Sequence, residues 1–208
     1  MKSVVLSIFV FLAMTLSGQC LQSGDIVFQS GSGSEFSKAI TDATSSSDSL
    51  RFDHVGIIDI DPTGVISVIE ASPSRGVTVT AFDDFLSSSP TIGGKPGVVV
   101  KRVNVVFNPD SVIAKAKSHL GEEYDWWYLP DNGKMYCSEL VYESYRDDNG
   151  RPLFSSKPMN FRASDGSMPA FWVELFDKLG MDVPEGVEGT NPNDMSKESI
   201  LSEVKRFF

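Results

Sequence analysis

The stretch that decides the fold is residues 54–70, His54-Val55-Gly56-Ile57-Ile58-Asp59-Ile60-Asp61-Pro62-Thr63-Gly64-Val65-Ile66-Ser67-Val68-Ile69-Glu70. Two β-branched runs flank Asp-Pro-Thr-Gly, whose residues favour a turn, so the stretch reads as an antiparallel hairpin. Outward from it, Gly24–Phe28 reads as a turn into an earlier strand, Gly76–Thr80 as a further strand and Asp83–Leu86 as a short helix. Residues 97–106 read as another strand. Asn108-Pro109-Asp110 opens a helix with apolar Val112, Ile113, Ala116 and Leu120, closed by Gly121. Leu140, Val141 and Tyr145 recur at helical spacing, which puts Cys137 in the first turn of a helix ending near Arg146. The class is α+β, an antiparallel sheet or partial barrel packed against helices.

Met1–Cys20 carries Lys2, an apolar run Val4–Leu16 and a small polar tail, the order of a secretory signal, and the run is too short to span a membrane. The protein is therefore expected to be exported, to the periplasm or outer surface of a bacterium. Gln19 is not the small residue that a lipoprotein site wants before its cysteine; membrane anchoring follows only if Cys20 is lipidated. Residues 21–208 read as one domain, with a helical appendix from about 151: an aromatic helix Pro169–Leu179, a loop at 183–194 and a last amphipathic helix Lys197–Phe208. Ser30–Ser49 reads as a polar loop holding a helical turn or two at Phe36–Ile40.

Composition narrows the function. The chain has 208 residues, 41% hydrophobic, and a formal charge of −10 from 18 basic and 28 acidic side chains. That acidity argues against nucleic-acid binding, which rests on Lys and Arg neutralising phosphates. Two His and two Cys in the whole chain argue against a zinc site of the usual multi-His/Cys kind, and no cofactor is called for. There is no Gly-x-Ser-x-Gly elbow, no phosphate loop, no HExxH and no dinucleotide fingerprint. The adjacent acid pairs Glu122-Glu123 and Asp147-Asp148 read as solvated surface.

What remains is Cys137. With Cys20 cleaved or lipidated it is the only free thiol, and an exported protein has little use for an unpaired cysteine except chemistry. A thiol of pKa ~8.5 is mostly protonated at neutral pH, and a helix N-terminus and a nearby imidazolium both favour its thiolate. His54, heading a core strand, is the candidate base. Glu70 stands sixteen residues on, where the end of one hairpin strand meets the start of the other, and can orient the ring. Asp53 should face the other side of its strand, and His119, in the last turn of a helix, reads as structural.

His54-Val55-Gly56-Ile57-Ile58, Val68-Ile69-Glu70-Ala71, Gly76-Val77, Leu120-Gly121-x-x-Tyr124-Asp125 and Tyr136-Cys137-Ser138-Glu139-Leu140-Val141 together resemble the NlpC-like superfamily of papain-related cysteine hydrolases. In the cell-wall endopeptidases of that superfamily the cysteine element precedes the histidine strand. Here it follows, an order similar to the circularly permuted, YiiX-type branch, related by fold to lecithin-retinol acyltransferase. The resemblance covers nearly all of residues 23–195. It implies a permuted papain-like fold, Cys137 as nucleophile, His54 as base and Glu70 as third member, with Tyr124 as a tyrosine serving the oxyanion or substrate. It also implies an amide substrate, either a cell-wall peptide or related amide, or a lipid or acyl amide or ester in the acyltransferase-like branch. A non-catalytic module binding ligand in the same cleft is the alternative from another class. Trp126-Trp127-Tyr128 and Phe171-Trp172 would line an acyl groove or pack the core.

Overall fold

The computed structural model describes residues 20–44 and 50–208. All but the last residue of the expected signal segment, residues 1–19, lie outside the described residues, as does the end of the Ser-rich stretch at 45–49.

In chain order the elements are β1 (Asp25–Ser30), α1 (Glu35–Ala43), β2 (Phe52–Ile60), β3 (Ile66–Ser72), β4 (Gly76–Ala81), α2 (Phe82–Ser88), β5 (Thr91–Ile92), β6 (Lys95–Pro96) and β7 (Val98–Val103). After them come α3 (Pro109–Ser118), α4 (Cys137–Ser144), β8 (Lys157–Pro158), α5 (Ala170–Leu179), β9 (Glu188–Gly189), α6 (Pro192–Met195) and β10 (Leu201–Arg206). Six strands form an open sheet in the order β10-β7-β1-β2-β3-β4, and the pairings within it are antiparallel. The 54–70 hairpin sits inside this sheet, with Ile57 opposite Ile69 and Ile60 opposite Ile66.

Both faces of the sheet are covered, as its long apolar runs require. Alternation sends Ile26, Phe28, Val55, Ile57, Ile69 and Ala71 to one face, where they join Ala116, Leu140, Val141, Trp172 and Phe176 of the helices. Val27, Ile58, Val68, Val98 and Val100 go to the other, under Phe82 and Phe85 of α2. Asn108 caps α3 by accepting from the Ser111 N–H at 3.2 Å, with Pro109 in the first turn. The helix at Phe36–Ile40 is longer than a turn or two. Ser34 caps it through the Ser37 N–H, and it runs nine residues.

One expectation is corrected. Residues after 151 are not a helical appendix throughout, because the expected helix Lys197–Phe208 is replaced by strand β10, which pairs with β7 and completes the main sheet. A bulge between Glu203 and Lys205 explains the misreading. It adds a residue to the strand, so Leu201, Val204 and Phe207 recur every three positions, an interval that otherwise signals a helix face. Free backbone groups on the edge of β7 outweigh the modest helix propensity of the tail.

Candidate active site

β2 and β3 carry the imidazole and the carboxylate. Gly56 lies between them in space: a Cβ there would come within 2.5 Å of a Val68 methyl and 3.4 Å of the Glu70 Cβ. The bare glycine leaves room for His54 to reach across the ladder. His54 Nε2 donates to Glu70 Oε2 at 2.5 Å, and both side chains are largely buried. The second carboxylate oxygen accepts from Arg75 Nη2 at 3.1 Å and from the Thr80 hydroxyl. Burial works against the charge on Glu70, yet the bonds to His54 and Thr80 and the Arg75 charge hold its carboxyl below the ordinary range. Burial also works against a charged ring at His54, but hydrogen bonds to Cys137 and Glu70 outweigh it and lift the imidazole to about 10. Nε2 is taken by Glu70, and the ring lies close enough to Cys137 for that residue to contribute to the shift.

Cys137 is the first residue of α4 and is only 4% exposed. Leu140 and Val141, both fully buried, pin the helix to the sheet and so fix where its N-terminus points. N–H groups of a first helical turn have no intrahelical acceptor, so those beside Cys137 can stabilise an oxyanion. Tyr124 is buried near the sulfur. Burial, with the negative charge of Tyr128 and Cys137 in their ionised forms, raises its pKa well above the ordinary tyrosine value, so its hydroxyl stays a donor.

The structure thus brings Cys137, His54, Glu70 and Tyr124 together. It gives the discarded candidates other partners: Asp53, in the wall of the same groove as His54, accepts from the Ser32 N–H at 3.1 Å, and His119 Nδ1 pairs with Glu122 at 3.0 Å. Thr80 and Arg75, which complete the carboxylate's shell, were invisible to sequence reasoning. Thr80 shares the face of Glu70 only once the β3–β4 register, Glu70 opposite Thr78, is known. Arg75 sits in a turn by composition, with nothing local to say what it touches.

Two hollows meet at Tyr124. On the cysteine side a cleft of about 870 Å³ is lined by Ile40, Tyr128, Met159, Phe161 and Trp172 below a rim that includes Lys157 and Asp194. The loop at 183–194 borders it: the Thr190 N–H donates to the Tyr136 hydroxyl at 3.1 Å and the Thr190 hydroxyl to Ser138 at 2.9 Å. On the histidine side lies a groove of about 900 Å³ whose lining is largely polar, with His54, Glu70 and Arg75 in its wall.

The chain is similar to known proteins over most of its length. It is 27% identical over 166 residues to YiiX of Escherichia coli K12, called an uncharacterized protein, covering 78% of this chain and 75% of that one. The crystal structure of YiiX from Escherichia coli O157:H7, described as a metalloprotein, superposes with a TM-score of 0.70 at 26% identity, over 89% of this chain and 97% of the other. Among the described residues of this chain, no three His, Cys, Asp or Glu side chains stand together as a metal site. The family model for permuted papain-like amidases, YaeF/YiiX, matches residues 20–205. On that match the chain belongs to the permuted papain-like amidase family, YaeF/YiiX, C92, and is a cysteine hydrolase of the amidase and peptidase type.

Proposed function

We propose that this amidase works through a Cys137–His54–Glu70 triad and an acyl-enzyme. The observation that carries the reading is the His54 imidazole, bonded to Glu70 through Nε2, with Cys137 beside it at the start of α4. The Cys137 thiolate attacks the amide carbonyl, and the oxyanion is met by first-turn N–H groups and the Tyr124 hydroxyl. His54 then gives its proton to the departing amine, leaving a thioester on Cys137. A water, deprotonated by His54, attacks that thioester and releases the acid. Glu70 keeps the ring oriented and its charge balanced throughout.

The resemblance of the His54 and Cys137 elements to NlpC-like cell-wall hydrolases supports a peptide amide as substrate. A second reading, a lipid or acyl amide, is favoured by the aromatic lining of the cleft beside Cys137, where Tyr128, Phe161 and Trp172 stand together. The leader-like first segment supports export, and exposed Cys20 would be the attachment point if the chain is lipidated.

The test is direct. Cys137→Ala should abolish turnover of both a cell-wall peptide and an N-octanoyl amide without changing the melting temperature by more than a few degrees; a variant that still turns over rejects the triad. Whichever wild-type substrate is cut decides the acyl class, and a protein that binds one but cuts neither is the cleft-binding module instead.

A further inference from the structure

We infer that Arg75 is a specificity residue that reads a carboxylate on the leaving amine, so that the preferred substrates are N-acyl amino acids or peptides ending just past the scissile bond. The inference rests on the reading of Cys137 and His54 as the reacting pair.

Chemistry fixes which hollow holds which half of the substrate. The acyl carbon becomes bonded to Cys137, so the acyl chain extends into the cleft that Cys137 lines. The amine takes its proton from His54, so whatever the amine carries lies in the groove that His54 lines. Arg75 is in the wall of that groove and its side chain is 51% exposed. Among the described residues only Nη2 is used, for Glu70 at 3.1 Å and Thr80 at 2.8 Å. Among the described residues Nε and Nη1 have no partner. A guanidinium with one nitrogen held and two free keeps donors for an incoming carboxylate.

The guanidinium is also held in place from behind. Arg75 sits at the tip of the β3–β4 hairpin, whose Gly76 has φ +66°; a Cβ there would come within 2.1 Å of the Glu122 carbonyl oxygen. The Val77 N–H donates to that same oxygen at 2.8 Å, and the Gly121 N–H donates to the Val77 carbonyl at 3.0 Å. The tip is thus stapled to the segment that leads to Tyr124, and little ordering is left for binding to accomplish. The nearby acids do not cancel this. Glu70 is balanced by His54, and Asp53 is engaged by the Ser32 N–H.

The experiment measures binding and needs no turnover. The full chain carrying Cys137→Ala is titrated calorimetrically with N-octanoylglycine and with the neutral N-octanoylglycinamide, which share an acyl group and differ only in the carboxylate. The acid should bind at least about tenfold more tightly, as a charge-assisted contact in a half-sheltered groove allows. Adding Arg75→Gln should bring the two within about twofold, and Arg75→Lys should retain part of the preference. Equal affinities, failure of both to bind, or a preference that survives Arg75→Gln would overturn the inference. If Arg75 served only to hold Glu70, its loss would weaken acid and amide alike and leave their ratio unchanged, which also overturns it. The hydrolase reading fails separately: a carboxylate preference in a wild-type protein that cleaves neither compound would sink the reaction and leave the recognition standing.

Discussion

At the scale of single residues the decisive feature is a protonated imidazole held between two partners. His54 is lifted from an ordinary 6.5 to about 10 by Cys137 and Glu70 against the opposing effect of burial, so at neutral pH it already holds the proton that the proposed mechanism gives to the leaving amine. The rate of amide cleavage should therefore fall on the alkaline side with a midpoint near 10. In Glu70→Gln the ring keeps a hydrogen-bond acceptor but loses the countercharge, and the midpoint should move down by one unit or more toward 6.5. An alkaline limb that does not move in the pH–rate profile would exclude Glu70 as the charge partner. The same groups govern stability. A histidine raised on folding contributes fully below 6.5 and loses that contribution as the pH climbs to about 10. Glu70, lowered on folding, contributes above its ordinary value of 4.5 and loses it on acidification. The destabilisation caused by Glu70→Gln, read as a difference in melting temperature, should be largest between those limits, near pH 5–6.

At the scale of elements, α4 carries a second buried acid whose position works against it. Glu139, in the first turn, accepts from the Tyr136 N–H at 3.3 Å, a site where the helix dipole welcomes a negative charge. Burial, with Asp125, Glu143 and Asp131 nearby, outweighs that and pushes its carboxyl up to about 8. An acid raised on folding binds its proton more tightly in the folded state, so stability declines as the pH rises from about 4.5 to about 8. Glu139→Gln keeps an acceptor for Tyr136 and removes the titration. It should match the wild type at pH 5 and melt on the order of 5 °C higher at pH 9, as followed by circular dichroism. The start of α4 was legible in the sequence because its signals are local, an apolar helical face beginning right at Cys137. The 54–70 hairpin and the Asn108-Pro109 helix start were legible for the same reason. Thr80 and Arg75 were not, because their contact with Glu70 depends on strand register and on the shape of a five-residue tip. Strand β10 was hidden by its bulge, which imitates a helical interval. Local chemistry and the pairing within one hairpin, His54 with Glu70, could be read; contacts set by the register of the next strand or by a bulge could not.

At the scale of the whole molecule the last strand is a cover. The order β10-β7-β1-β2-β3-β4 puts the C-terminal segment at one edge and His54 and Glu70 two and three strands beyond β7. β10 pairs along β7, while Phe207 rests on Phe82 with ring centroids 5.8 Å apart, over the cluster that includes fully buried Val98 and Val100. Its outward residues Glu203, Lys205 and Arg206 are charged, a usual protection for an edge strand. Deleting residues 201–208 should do two separable things. It should expose the flat Val98-Val99-Val100 edge and remove Val204 and Phe207, each a stabilisation of on the order of 1 kcal/mol, lowering the folded fraction. It should also promote association, most strongly toward pH 4.6 and just below it, because the whole chain's net charge vanishes at 4.6 and the deletion removes one more base than acid. The molecules that remain folded keep the β2–β3 pairing and the start of α4, so the Michaelis constant for an N-octanoyl amide should stay within about twofold of the full-length value. Light scattering against pH and active-site titration with iodoacetamide separate the two effects. A truncated chain that stays monomeric at pH 4.6, or one whose Michaelis constant rises severalfold, would show that β10 supports the site as well as the edge.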